Sequence, residues 1–302
     1  MRASAIFQRC RADAKFLMRR YFFETLQLLS IVAPLAWLRW TAFTSFDLVP
    51  AHALAVVVAI PFGWFVASLV HNAGHSNFPG RSNRVIGEFA GAYLGYGYTS
   101  FVLIHTLHHS HTDRKHDPVS PRGLTFFQYL ISPLRHPTRI ARAYLASVHG
   151  ASPGYERVRW GEFVAFNANV ILRVAMWALV FGPELFLLFY IPSILSDVAI
   201  LAHINYACHR DQYDGSVEIV NLSGNLYYDV ANAVTMGGYF HKNHHLQPKL
   251  IDPRTVDERS APMLTIPPQE QVSEGARAVR PTGVVRRYFD LGGIWGESTR
   301  LR

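Results

Sequence analysis

Histidine is the residue that stands out, with 15 in 302 positions, most of them gathered in three clusters. The first reads His71-Asn-Ala-Gly-His75, the second His105-Thr-Leu-His108-His109, and the third His241-Lys-Asn-His244-His245. On a helix, residues i, i+3 and i+4 lie on one side, so each cluster can aim two or three imidazoles at one place. Imidazole suits iron, zinc, copper and nickel. Eight imidazoles are too many for one ion, so two metals are implied. Zinc has no redox chemistry, whereas a pair of irons can activate O2 and hold the oxidising equivalents that a strong C–H bond demands. Acidic side chains that fix the imidazole tautomers would complete such a site, and Asp113, Asp117 and Asp229 are candidates by position.

The elements that must position these clusters are apolar. Half of the sequence is hydrophobic and 17% is charged, against about 25% in soluble domains. Apolar runs of about 20 residues can cross a bilayer. Four such runs are read here, from Thr25 to Phe46, Ala51 to Val70, Phe163 to Phe181 and Leu185 to Ala202. Turns at Asp47 to Pro50 and at Gly182-Pro183-Glu184 pair them into two helical hairpins. A fifth stretch, Phe89 to Ile104, is rich in glycine and tyrosine. It is expected to be re-entrant or interfacial, because a full crossing would put His71 and His105 on opposite sides. The expected fold is therefore an all-α membrane protein, with four transmembrane helices in two hairpins, a re-entrant or interfacial segment and a cytoplasmic helical cap. Residues 1–24 form a basic arm, 25–253 the membrane domain and 254–302 a soluble tail.

The net charge of +8 follows the same plan. Arg2, Arg9, Arg11, Lys15, Arg19 and Arg20 precede the first run, and Arg114, Lys115, Arg122, Arg135, Arg139, Arg142, Arg157 and Arg159 lie between the hairpins. The short turns carry no Lys or Arg. This asymmetry predicts that both termini and all histidine clusters are cytoplasmic. Arg173 is the exception. In mid-span it costs about 2.5–3.5 kcal/mol unless it faces protein or water. Basic residues that flank apolar runs argue against nucleic acid as a partner. Cys10 and Cys208 are too few for a disulfide framework or a cysteine zinc site.

The three clusters and their neighbours resemble the membrane fatty acid desaturase and hydroxylase superfamily, whose pattern is HxxxH, HxxHH and HxxHH. "HNAGHSNF", "HTLHHSHTDRKHDP" and "HKNHHLQP" are similar to its three boxes, and the resemblance runs from about Ala51 to Pro253. It implies His71, His75, His105, His108, His109, His241, His244 and His245 as ligands of two iron ions, with O2 as co-substrate. Asn205-Tyr-Ala-Cys-His209 resembles an NxxxH element of acyl-CoA desaturases. That implies His209 as a ninth ligand and Asn205 as a water-mediated one, with His203 competing for the ninth place. His111 and His116 would support the site or be structural, while His52, His136 and His149 would be hydrogen-bonded core or interface residues.

The implied reaction is insertion of a double bond into a fatty-acyl chain. The same ligands would serve a hydroxylase or ketolase acting on a lipid, carotenoid, sterol or alkane. A different class, a histidine-rich metal transporter or sensor, should carry ionisable residues deep in several spans, and few occur here. No heme-binding HPGG run is present, so electrons are expected from a separate donor such as a ferredoxin.

Overall fold

The computed structural model describes residues 26, 29–30, 32–40, 51–95, 98–114, 117–132, 153–256 and 262–268. The chain is mostly helical. Its helices are α1 (Ala51–Gly74), α2 (Ser82–Leu94), α3 (Tyr98–His111), α4 (Phe126–Ile131), α5 (Pro153–Leu185), α6 (Ile191–Cys208), α7 (Leu226–Val234) and α8 (His241–Leu246). A π-helical turn, Phe186–Tyr190, joins α5 to α6. Among the described residues, two stretches, Leu54–Gly74 and Asn167–Cys208, are long and apolar enough to cross a membrane. Part of the expected first span, including residues 41–46, lies outside the described residues, while residues 32–40 are helical. The basic N-terminal arm, His116, His136 and His149 also lie outside them.

The longer stretch is broken where the sequence predicts a turn. Gly182 has φ 72° and ψ 166°, and Pro183 follows it. Glycine tolerates that conformation, and proline cannot continue a helix. The rings of Trp177 and Tyr190 lie 6.0 Å apart. Thirteen residues of straight helix would separate them by about 20 Å, so the chain folds back here.

α1 and α6 pack closely because Gly63 has no side chain. A Cβ at Gly63 would meet the Ser193 carbonyl oxygen, and Ser196 Oγ donates to Ile60 O at 3.0 Å. Further along, Ala67 shares a buried cluster with Ile200, Ile204 and Cys208. Contacts advance in the same sense on both helices, so α1 and α6 run parallel. Their C-terminal ends emerge together, one carrying His71 and the other leading into His209.

The glycine- and tyrosine-rich stretch forms two helices rather than one. α2 ends at Gly95, a left-handed residue (φ 83°) whose N–H bonds Gly91 O, and α3 begins after it. This bend returns the second histidine cluster to the first, with the rings of His71 and His105 4.6 Å apart. Arg173 is buried at this bend. Its Nε donates to Asn169 Oδ1 (2.6 Å) and its Nη1 to Gly91 O (3.3 Å). A cation beside the terminal carbonyls of α2 is favoured by the helix dipole. The mid-span charge thus faces protein.

The expectation of an all-helical chain needs one correction. Three short strands, β1 (His209–Asp211), β2 (Val217–Ile219) and β3 (Leu264–Ile266), form an antiparallel sheet in the order β1-β2-β3. The sequence reading missed it because each strand has three residues, too few for an alternating pattern to register. β3 also ties part of the expected tail to the rest, with Val217 opposite Ile266.

Candidate metal centre

Nine histidines converge in two adjacent groups. His71 and His75 at the end of α1, His105 on α3 and His244 on α8 place ring nitrogens within 4.8 Å of one another. His109 joins them, its Nε2 lying 3.2 Å from His105 Nε2 and 3.0 Å from His244 Nε2. The second group is His108 from α3, His209 after α6, and His241 and His245 from α8. The two groups touch through His109 and His245, whose ring centroids are 4.4 Å apart.

Each HxxHH cluster therefore divides instead of pointing at one place. Successive residues are about 100° apart around a helix, so i+3 and i+4 diverge. On α3, His105 and His109 serve the first group and His108 the second. On α8 the roles reverse, with His241 and His245 in the second group and His244 in the first.

The close approaches are not those of a hydrogen-bonded network. His105 Nε2 lies 2.6 Å from His75 Nε2 and 3.2 Å from His109 Nε2, and His241 Nε2 lies 3.0 Å from His209 Nε2 and 3.2 Å from His245 Nε2. A ring nitrogen offers one proton or one lone pair, so it cannot bond well to two others. Two nitrogens at right angles on one ion, with bonds of about 2.0–2.1 Å, sit about 3 Å apart. His108 Nε2 is buried with no hydrogen-bond partner. The donor set fits two metal ions bound by neutral imidazoles.

The electrostatics agree. Burial, then neighbouring imidazoles, hold His105, His241, His244 and His245 well below the usual histidine range, and the same causes lower His109. His75 is lowered to about 4 by burial, the charge of Lys249 and His108. Neutral imidazoles keep the lone pairs that a metal needs.

Two aspartates from the loop after α3 fix the rings of the second group. Asp117 Oδ2 accepts from His108 Nδ1 at 2.9 Å, and Asp113 Oδ2 accepts from His209 Nδ1 at 2.5 Å. With Nδ1 protonated, each Nε2 is left to face the group's centre. Burial alone would raise the Asp113 carboxyl. The His209 hydrogen bond, with Ser120, outweighs it and leaves the group below its ordinary value. The loop is shaped by the same carboxylates, since Asp117 also accepts from Asp113 N and Val119 N. Asp113 itself sits at φ 53°, a conformation that aspartate tolerates better than most residues.

Other expected residues lie elsewhere. Asp229 accepts from Gly224 N at the start of α7 and does not reach an imidazole of the groups. Asn205 donates to the Tyr129 hydroxyl at 3.2 Å. His203 bonds Tyr239 OH through Nδ1 at 2.5 Å, so of the two rivals it is His209 that stands among the clustered imidazoles. His111 ends α3 outside both groups.

Sequence reasoning missed the residues that fasten the clusters. Asn243, inside the third cluster and fully buried, accepts from Asn221 Nδ2 and donates to Pro253 O and Val256 O. Asn77 donates to Asn72 Oδ1, Pro248 O and Leu250 O, clamping the loop after α8 to the end of α1. The available signal was an amide beside the ligands in the first and third boxes.

The family model for fatty acid desaturases matches residues 48–254, a span holding all nine clustered histidines. The chain belongs to the fatty acid desaturase family. No curated protein and no solved structure matches it. For a fatty acid desaturase family member, two apolar helical stretches and two imidazole groups able to hold metal fit membrane association and oxidoreductase chemistry.

Proposed function

We propose that this chain is an O2-dependent, di-iron oxidoreductase of the membrane that introduces a double bond into a fatty-acyl chain. The observation that carries the reading is the pair of imidazole groups built at the emerging ends of two parallel apolar helices. Iron is preferred to zinc because the reaction is a redox one. Two irons held by these groups would supply the reductive activation of O2 and the hydrogen removal that an unactivated methylene requires.

The chain's own residues orient and insulate. Asp113 and Asp117 hold His209 and His108 in one tautomer, and burial keeps His105, His241, His244 and His245 neutral. The acyl chain would approach from the membrane side along α1 and α6, which would position one carbon–carbon bond beneath the groups. We place four spans in two hairpins, with both termini and the metal centre cytoplasmic, on the Lys/Arg asymmetry. Electrons would come from a separate, acidic donor such as a ferredoxin, attracted by the basic cytoplasmic face.

Mass spectrometry of lipids from a host expressing the protein tests this reading, with His244→Ala and His245→Ala variants as controls. The expected result is a new acyl species lighter by two hydrogens, absent in both variants. A species heavier by one oxygen would replace desaturation with hydroxylation. No lipid change at all would overturn the reading.

A further inference from the structure

α7 carries its apolar side outward. Leu226 (81% exposed), Val230 (48%) and Ala233 recur at i, i+4 and i+7 on its exposed face, with Tyr227 beside them. Its buried side holds Ala231 and the amide of Asn232, which donates to Leu222 O and accepts from Tyr239 N. A helix in water shows the opposite arrangement.

Its position explains the inversion. The Tyr227 ring lies 6.3 Å from Trp64, and Ala231 shares a buried cluster with Ala67. Both partners belong to the apolar stretch Leu54–Gly74, whose own Leu54, Val57 and Phe65 are exposed. α7 is thus set against a candidate span, and its exposed apolar side continues that span's surface. α4 extends it. Phe127 (76% exposed) and Ile131 point outward at i and i+4. The neighbouring Phe126 ring meets His203, which in turn meets Tyr227.

The geometry points to α4 and α7 as an in-plane collar that docks on the bilayer, with its apolar side chains among the lipid acyl chains of the leaflet nearest the metal centre. Interfacial helices bury their apolar face by about 5–10 Å. Trp64, which meets α7, is seven residues before His71, about 10 Å along α1. The collar therefore holds the imidazole groups within one lipid chain's reach of the bilayer, so a lipid substrate can present its chain without leaving the membrane. This inference rests on the reading of Leu54–Gly74 as a span.

The test places a fluorophore on one introduced cysteine at a time in the full-length chain carrying Cys10→Ser, reconstituted in phosphatidylcholine vesicles; the remaining Cys208 is buried. The positions are Phe127→Cys, Leu226→Cys and Val230→Cys, with Val57→Cys for the span and Tyr213→Cys, fully exposed in the β1–β2 turn, for water. Nitroxide-bearing acyl chains and aqueous iodide are the two quenchers. The collar positions are expected to be quenched several-fold more strongly by the lipid nitroxide than by iodide, as at Val57, with the reverse at Tyr213. Iodide quenching at all three collar positions as strong as at Tyr213 would overturn the inference. So would protection from both quenchers, which would mean that a second copy or another protein segment covers the face. If Val57 also proved open to iodide, the membrane reading itself would fail, and the two failures are thereby distinguished. None of these readings requires turnover.

Discussion

Replacing Asp113 tests whether the second imidazole group is a metal site tuned by a buried carboxylate. Asp113 is fully buried, and its oxygens take His209 Nδ1 at 2.5 Å and Ser120 Oγ at 2.7 Å. Asp113→Asn keeps the shape. Its carbonyl oxygen can still accept from His209 and its amide can donate to Ser120, so the hydrogen bonds survive and only the charge is lost. Outer partners of metal-bound histidines are worth about 10–100-fold in metal affinity, which corresponds to about 1.4–2.8 kcal/mol. Asp113→Ala should cost more, since it also strands a buried imidazole N–H. The assay is titration of metal-free protein with ferrous iron under anaerobic conditions, scored as metal bound per chain. One weakened site in Asp113→Asn, beside one unchanged site, is expected. Two sites of normal affinity in both variants would refute the argument that Asp113 acts through His209 on a metal.

Among the histidines, His108→Ala, His109→Ala, His244→Ala and His245→Ala should abolish turnover while the protein remains in the membrane, measured as product per unit of membrane protein. His209→Ala should be nearly as severe, whereas His203→Ala should mainly lose the Tyr239 hydrogen bond, about 1 kcal/mol of stability. Gly63→Val should lower the thermal midpoint, because its Cβ would press on Ser193 O and overpacking costs about 1–3 kcal/mol. The metal-free protein should lose stability as pH falls. The folded His75 is lowered from 6.5 to about 4 and several neighbours shift the same way, so the unfolded chain binds more protons in that window. A thermal midpoint rising on acidification from pH 6.5 to 4 would contradict this sign.

The clustered histidines were legible because the chemistry they offer is written in residue type and short spacing. The clusters at 71, 105 and 241 need only a helical turn each to collect their rings. The fold-back at Gly182-Pro183 was legible for a similar local reason. What stayed hidden depends on contacts between distant segments. Besides its local bond to Asn169, Arg173 donates to a carbonyl at Gly91, and no local pattern announces that distant contact. The three-residue strands pair residues 209, 219 and 264 across loops. The division of each HxxHH cluster between two groups follows from helix geometry, yet which imidazole goes where depends on how α3 faces α8. Asp113 and Asp117 were picked by proximity in sequence alone, as was Asp229. Only the first two have a loop that turns the carboxylate back on to a ring.

That division has a thermodynamic consequence. α3 supplies His105 and His109 to one group and His108 to the other, and α8 supplies His244 to the first and His241 and His245 to the second. Neither group can therefore be ordered without fixing both helices. α8 is six residues long and carries three of the nine rings, and so short a helix is marginal by itself. The first metal to bind must meet the ordering cost of α3 against α8. The second then meets a preformed site, which is positive cooperativity by shared order rather than by contact between ligands. Iron loading should accordingly be steeper than two independent sites allow, and hydrogen exchange at the α8 amides should slow mostly at the first equivalent. Independent, equal-affinity loading, with protection of α8 growing in two equal steps, would show that each group is built before its metal arrives.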